Sequence, residues 1–220
     1  MQNGYSALHF SAAEYEKDLP EEERGAQEGG AASRLGFLVS IGLFIALPKI
    51  LAWATGHLFG GGLGMGDPRF HLLAGFFKLS IVVGMMLLMR KNAEMYRVFQ
   101  YHGAEHKAIA VYEAGLPLTV ENSKRFTTRH ARCGTTFLMV VVFVQVVIFA
   151  LLLPMVLPHD SGFVTMLLSI LISIPLMFPI AGFAYELQRL GARFVDNPLA
   201  QLFLAPGFLV QRITTAEPTD

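Results

Sequence analysis

Four stretches of this chain are long and apolar, and polar segments separate them. A helix that crosses a bilayer needs about 20 mostly apolar residues. Residues 134–157 carry no charge, with Gln145 as their one strongly polar group. Residues 163–185 are also uncharged, with Pro175 and Pro179 as expected kinks. Residues 35–59 hold Pro48 and Lys49 near their middle, and residues 70–89 hold Lys78. The pattern predicts an all-α, polytopic membrane protein of about four transmembrane helices. The alternative is a re-entrant hairpin broken at Pro48-Lys49.

The segments between these runs have characters of their own. Residues 1–34 are rich in Gly, Ala and Glu with few large apolar side chains, the composition of a disordered acidic tail. The first apolar run lies behind that tail rather than after a short basic segment, so it reads as an anchor and not as a signal peptide. The glycine run at 60–66 lacks the Gly-Lys-Ser/Thr ending of a phosphate loop and reads as a flexible turn. Residues 92–114 hold no Pro and one Gly, so a helix is expected between the second and third spans. The apolar run 199–210 is too short to span, which makes 199–220 an interfacial or packed segment. The domains expected are thus a tail, 1–34, and a membrane domain, 35–220, with a polar loop at 90–133.

Composition supports this division. Hydrophobic residues make up 53% and charged residues 15%, far from the roughly 25% charged of a soluble domain. A mean hydropathy of +0.48 argues against a soluble enzyme. The single cysteine excludes an intrachain disulfide.

The formal net charge is zero, but the charges are unevenly placed. Residues 1–34 carry three basic side chains against seven acidic ones, and residues 90–133 carry eight basic against four acidic. Of Lys and Arg, the loop at 60–69 has one, Arg69, and 158–162 has none. By the positive-inside rule the 90–133 loop and both termini should be cytoplasmic. An acidic tail on that side would be placed to fold over the basic loop.

That loop also carries the chemistry. His102-Gly103-Ala104-Glu105-His106 is a His-x-x-Glu-His motif, the inverted zincin pattern. On a helix, His102, Glu105, His106, Ile109 and Glu113 fall within roughly a 100° arc. Two histidines at i and i+4 can grip one metal ion, and a neighbouring Glu can polarise its water. Two ligands do not complete a zinc site. Glu113 lies about 10 Å along the helix from His106, too far for the same ion.

His130 and Cys133, at i and i+3 before the third span, supply the missing donors, and all four residue types suit zinc. If all four ligate, the site is closed and structural, with Glu105 orienting a histidine. If three ligate, water takes the fourth position and Glu105 is the general base. The bland alternative is that these histidines cap helix ends or bond headgroup phosphates.

Lys49 and Lys78 lie at mid-membrane depth, where a charge costs a few kcal/mol on insertion scales. They mark a polar interior or a site for an anionic head group, or they snorkel. Asp67 and Glu186 are the nearest flanking acids. Tyr185-Glu186, at the end of the fourth span, reads as a boundary pair or an approach to the metal loop. Arg125, Arg129 and Arg132 are suited to anionic lipid. Nucleic acid is not an expected partner, because aromatics are few and the chain is not basic overall. A second copy or another membrane protein is.

Several longer motifs carry a resemblance. These are 99–107 (Phe-Gln-Tyr-His-Gly-Ala-Glu-His-Lys), Tyr112-Glu113, 118–122, 130–135, Tyr185-Glu186 and 211–218. From about residue 70 onward the chain resembles the YqhQ-like family of bacterial inner-membrane proteins, a domain of unknown function regarded as metal-dependent enzymes. The resemblance implies a bacterial inner-membrane location and strengthens the metal reading. Residues 1–34 do not show the Gly-rich, Glu-Gly-containing opening expected of that family. Two functions follow as expectations. One is a membrane-embedded metal-dependent hydrolase with a cytoplasmic-face site. The other is a non-catalytic scaffold, assembly factor or small transport protein with a structural metal.

Overall fold

The computed structural model describes residues 30–59 and 62–219, together with Ser6, Phe10, Ala13, Glu14 and Lys17. The rest of the acidic tail, and with it the expected fold over the basic loop, lies outside the described residues. Regular structure among the described residues is entirely helical. In chain order the elements are α1 (Gly30–Ile41), a π-helical turn (Gly42–Ala46), α2 (Leu47–Leu58), α3 (Pro68–Arg90), α4 (Ala93–Glu113), α5 (Val120–Ser123), α6 (Gly134–Val156), α7 (Phe163–Arg193) and α8 (Pro198–Thr214). The chain divides into two compact units, Met1–Leu43 and Phe44–Asp220. The second holds the helix bundle.

Among the described residues, four helical segments are long and apolar enough to cross a membrane: Leu38–Leu58, Pro68–Arg90, Gly134–Val156 and Phe163–Arg193. The fold is that of an all-α polytopic membrane protein. Pro48 does not break the first segment into a hairpin. A π turn immediately precedes it, and Pro48 sits at the start of α2, where its missing N–H costs least.

Polar caps set the other helix starts. The Asp67 carboxylate accepts from the Arg69 N–H, with Pro68 opening α3. The Asn92 side chain accepts from the N–H groups of Glu94 and Met95 and opens α4. The Asn197 side chain accepts from Leu199, with Pro198 opening α8.

α6 is the centre of the bundle, with more than half of its apolar stretch buried, against about a fifth in the other three spans. It packs on α3, α7 and α8. In a bilayer, lipid tails are as apolar as leucine, so close backbone approach replaces hydrophobic burial as the source of helix association. Small residues provide it. A Cβ on Gly75 of α3 would lie 2.3 Å from Val146 Cγ2, and one on Gly207 of α8 would lie 2.5 Å from Thr136 Cγ2.

Two segments differ from expectation. The fourth span continues past residue 185 to Arg193, because Glu186–Arg189 are good helix formers. At 31 residues α7 is about 46 Å long, well beyond a hydrocarbon core of about 30 Å, so its last turns run into the polar end of the bundle. The glycine run is also no loose turn. Met65 is fully buried, its N–H donates to the Asp160 carbonyl, and a Cβ on Gly64 would lie 2.2 Å from the His159 carbonyl oxygen. These glycines let the 62–67 segment pack directly on the 157–160 turn.

Candidate metal centre

α4 presents His102 and His106 one turn apart, and Cys133 is the N-cap residue of α6. Their ligand atoms all lie within 4.8 Å of one another. His102 Nε2 is 3.2 Å from Cys133 Sγ, and the two imidazole centroids are 4.5 Å apart. Cys133 does not cap α6 through its side chain, so the sulfur is left to face the histidines.

The supports are mostly backbone. His102 Nδ1 donates to the carbonyl of Thr214, the last residue of α8, at 2.8 Å. His106 Nδ1 donates to the Thr128 carbonyl at 2.6 Å. With each Nδ1 engaged this way, Nε2 is the nitrogen left for a metal. Zinc-binding histidines are held in the same manner. Thr214 is well chosen, because the last carbonyls of a helix have no intrahelical partner. Arg90 satisfies two more of them, donating from one guanidinium nitrogen to the carbonyls of Arg212 and Ile213.

Two buried amides fix the strand of backbone that carries Cys133. Gln188, in the extended part of α7, donates to the carbonyls of Ala131 and Cys133, each at 3.0 Å. Gln211 of α8 accepts from the His130 N–H and donates to the His130 carbonyl and to Thr136 Oγ1. The chain after α8 then seals α4 from behind. Ala216 N–H donates to the Phe99 carbonyl, and Lys107 pairs with Glu217. Gly103 makes this possible, because a Cβ there would lie 2.0 Å from the Ala216 carbonyl oxygen.

The electrostatics suit a metal ligand. Burial pushes the Cys133 thiol up, but hydrogen bonds from His102, His106 and Thr135 outweigh it and bring it down to about 5. The positive N-terminal end of α6 acts in the same direction. The hydrogen bond to Cys133 raises His102 above the ordinary imidazole value, with burial opposing it. A thiolate and two imidazole nitrogens form a donor set that fits zinc.

The four predicted donors do not all converge. His130 stands beside the cradle, with its ring centroid 5.6 Å from that of His106, but its Nε2 lies 3.6 Å from Glu113 Oε2. Glu113, expected to be out of reach of the ion, also pairs with Arg132. Glu105 is exposed on α4 and close enough to act electrostatically on His102.

Glu186 pairs with Arg189 and Asp67 with Arg69, so neither serves the mid-membrane lysines. Lys49 Nζ donates to the Ser169 carbonyl and to the hydroxyls of Ser169 and Ser173, while Lys78 Nζ donates to Gln145 Oε1 at 2.6 Å. The residues that composition and spacing did not single out are Thr128, Thr214, Gln188, Gln211 and Gly103. The 99–107 motif contains Gly103 and the 211–218 motif contains Gln211 and Thr214, whereas Thr128 and Gln188 lie in none of the quoted motifs.

The whole chain, residues 1–220, matches the family described as a protein of unknown function (DUF1385). This chain belongs to that family. It is also 31% identical over 230 residues to the uncharacterized protein YqhQ of Bacillus subtilis (strain 168), an alignment covering 99% of this chain and 68% of YqhQ. The family match takes in residues 1–34, which the motif resemblance had left aside; Glu28-Gly29-Gly30 stands within them. No solved structure matches the chain.

Proposed function

We propose that His102, His106 and Cys133 hold a zinc ion, and that the protein is a membrane-embedded metal-dependent hydrolase. The observation that carries this is the cradle itself: three ligand atoms within 4.8 Å, with both Nδ1 atoms committed to backbone carbonyls. Three protein ligands are the number found in catalytic zinc sites, which keep the fourth position open. When bound, zinc supplies Lewis acidity and lowers the pKa of its water to about 7. Glu105 is the residue to accept the proton of that water. The substrate class is a peptide or a lipid-linked group at the membrane surface. The excess of Lys and Arg in residues 90–133 supports a cytoplasmic face of the bacterial inner membrane.

A second reading keeps the metal and drops the catalysis. It is favoured by the reach of the cradle, whose ligands and supports join α4, the 128–133 segment, α6 and the end of α8. In a scaffold or assembly factor the ion would clamp these elements, and His130 could turn from Glu113 to close the shell.

X-ray absorption at the zinc edge separates the two. One sulfur, two imidazoles and a light oxygen donor support the hydrolase, whereas a third imidazole supports the clamp. Glu105→Gln gives the functional arm. The hydrolase reading expects zinc content and folding to survive while cellular function is lost. Wild-type function in that variant would remove Glu105 from the chemistry.

A further inference from the structure

Two cavities meet beside the cradle. The first, about 710 Å³, is an apolar groove along α8. Pro198, Leu202, Ala205, Leu209 and Arg212 follow one another at helical spacing down its wall, with Val195, Gln201 and Phe208 among the other residues that line it. From Pro198 to Arg212 the groove follows about 21 Å of helix. The second cavity, about 600 Å³, is basic. Arg90, Lys107, Lys124, Arg129 and Arg212 line it against one carboxylate, that of Glu217, which is already paired with Lys107. Arg129 and Arg212 line both cavities. A long apolar track therefore ends at two guanidinium groups that open into a cation-rich chamber.

We propose that this pair of cavities is a binding site for an anionic phospholipid. The acyl chain lies along α8, and the phosphate sits between Arg129 and Arg212, with its head group in the basic chamber. Charge complementarity selects the anion. Guanidinium groups bind phosphate oxygens in a bidentate, charge-assisted manner, and the Arg129 and Arg212 pair that both cavities share suits a phosphate better than a neutral head group. The apolar track selects an amphiphile over free phosphate, and Leu202 and Leu209 leave it open. The assignment is narrower than a general basic patch. Arg132 is excluded by its pairing with Glu113, and Arg125 lines neither cavity.

The site is separate from the metal cradle, since none of His102, His106 and Cys133 lines either cavity. The two adjoin at Thr128, which lines the basic chamber while its carbonyl holds His106.

The test uses the full chain in a neutral detergent, with lipid binding followed by native mass spectrometry. The probes are dioctanoyl phosphatidic acid, dioctanoyl phosphatidylcholine and glycerol 3-phosphate. The wild type should bind phosphatidic acid at least ten times more tightly than phosphatidylcholine. Arg129→Gln with Arg212→Gln should bring the two lipids to within a factor of two. Ala205→Trp, which fills the groove, should weaken phosphatidic acid and leave glycerol 3-phosphate unchanged. Arg129→Lys with Arg212→Lys keeps the charge and should retain preference for the anionic lipid, which guards against misfolding of the glutamine variant. Equal binding of the two lipids by the wild type would overturn the proposal. So would glycerol 3-phosphate binding as tightly as phosphatidic acid, which would mark a free-phosphate site.

Discussion

Gly103 is the narrowest point of the cradle. A glycine inside a helix costs about 1 kcal/mol relative to alanine, so its place between two candidate ligands needs a reason. The reason is the Ala216 carbonyl oxygen, which leaves no room for a Cβ. Gly103→Ala should therefore reverse the usual helix preference and destabilise the protein by about 1–3 kcal/mol, because the obstacle is backbone rather than a flexible side chain. Thermal unfolding in detergent should show a lower midpoint together with reduced zinc. A variant as stable as the wild type would mean that the 214–217 segment does not press on α4. At this scale the three side chains that cluster, His102, His106 and Cys133, were legible, because His and Cys are visible as letters. The carbonyls of Thr128 and Thr214 were not, since every residue has one and only the fold selects which is used. The orientation of His130 was equally hidden, because its partner Glu113 sits 17 positions earlier on another element.

α8 shows the same division one level up. Its apolar run is too short to span, and the sequence leaves open whether it floats at the interface or packs. It packs on α6, with Gly207 against Thr136, and delivers Gln211 and Thr214 to the cradle. Gly207→Leu should lift α8 from α6 and release both supports. Limited proteolysis should then cut near the C-terminus in the variant and spare the wild type, with zinc lost in parallel. Equal resistance in both proteins would count against α8 as the clamp. The four spans themselves were readable, because a bilayer imposes length and composition directly on the chain. The extension of α7 was not. Its polar residues end a membrane pattern while continuing a helix, and Gln188 makes contacts with Ala131 and Cys133 that no local pattern records.

For the whole molecule, a net charge of zero conceals an acidic first segment and a basic central loop. The Lys and Arg distribution predicts that both termini and the cradle share the cytoplasmic side. Fusion of a fluorescent protein to the C-terminus should give fluorescent cells, and fusion of alkaline phosphatase there should give inactive enzyme. Phosphatase activity would invert the topology and place the cradle outside. Metal binding underlies both functional readings, and its most direct test is elemental analysis of the full chain purified on a support free of chelated metal. The account predicts about one zinc per chain, falling steeply in Cys133→Ser and in His106→Ala. A wild-type content below about 0.2 zinc or other divalent metal per chain would contradict it.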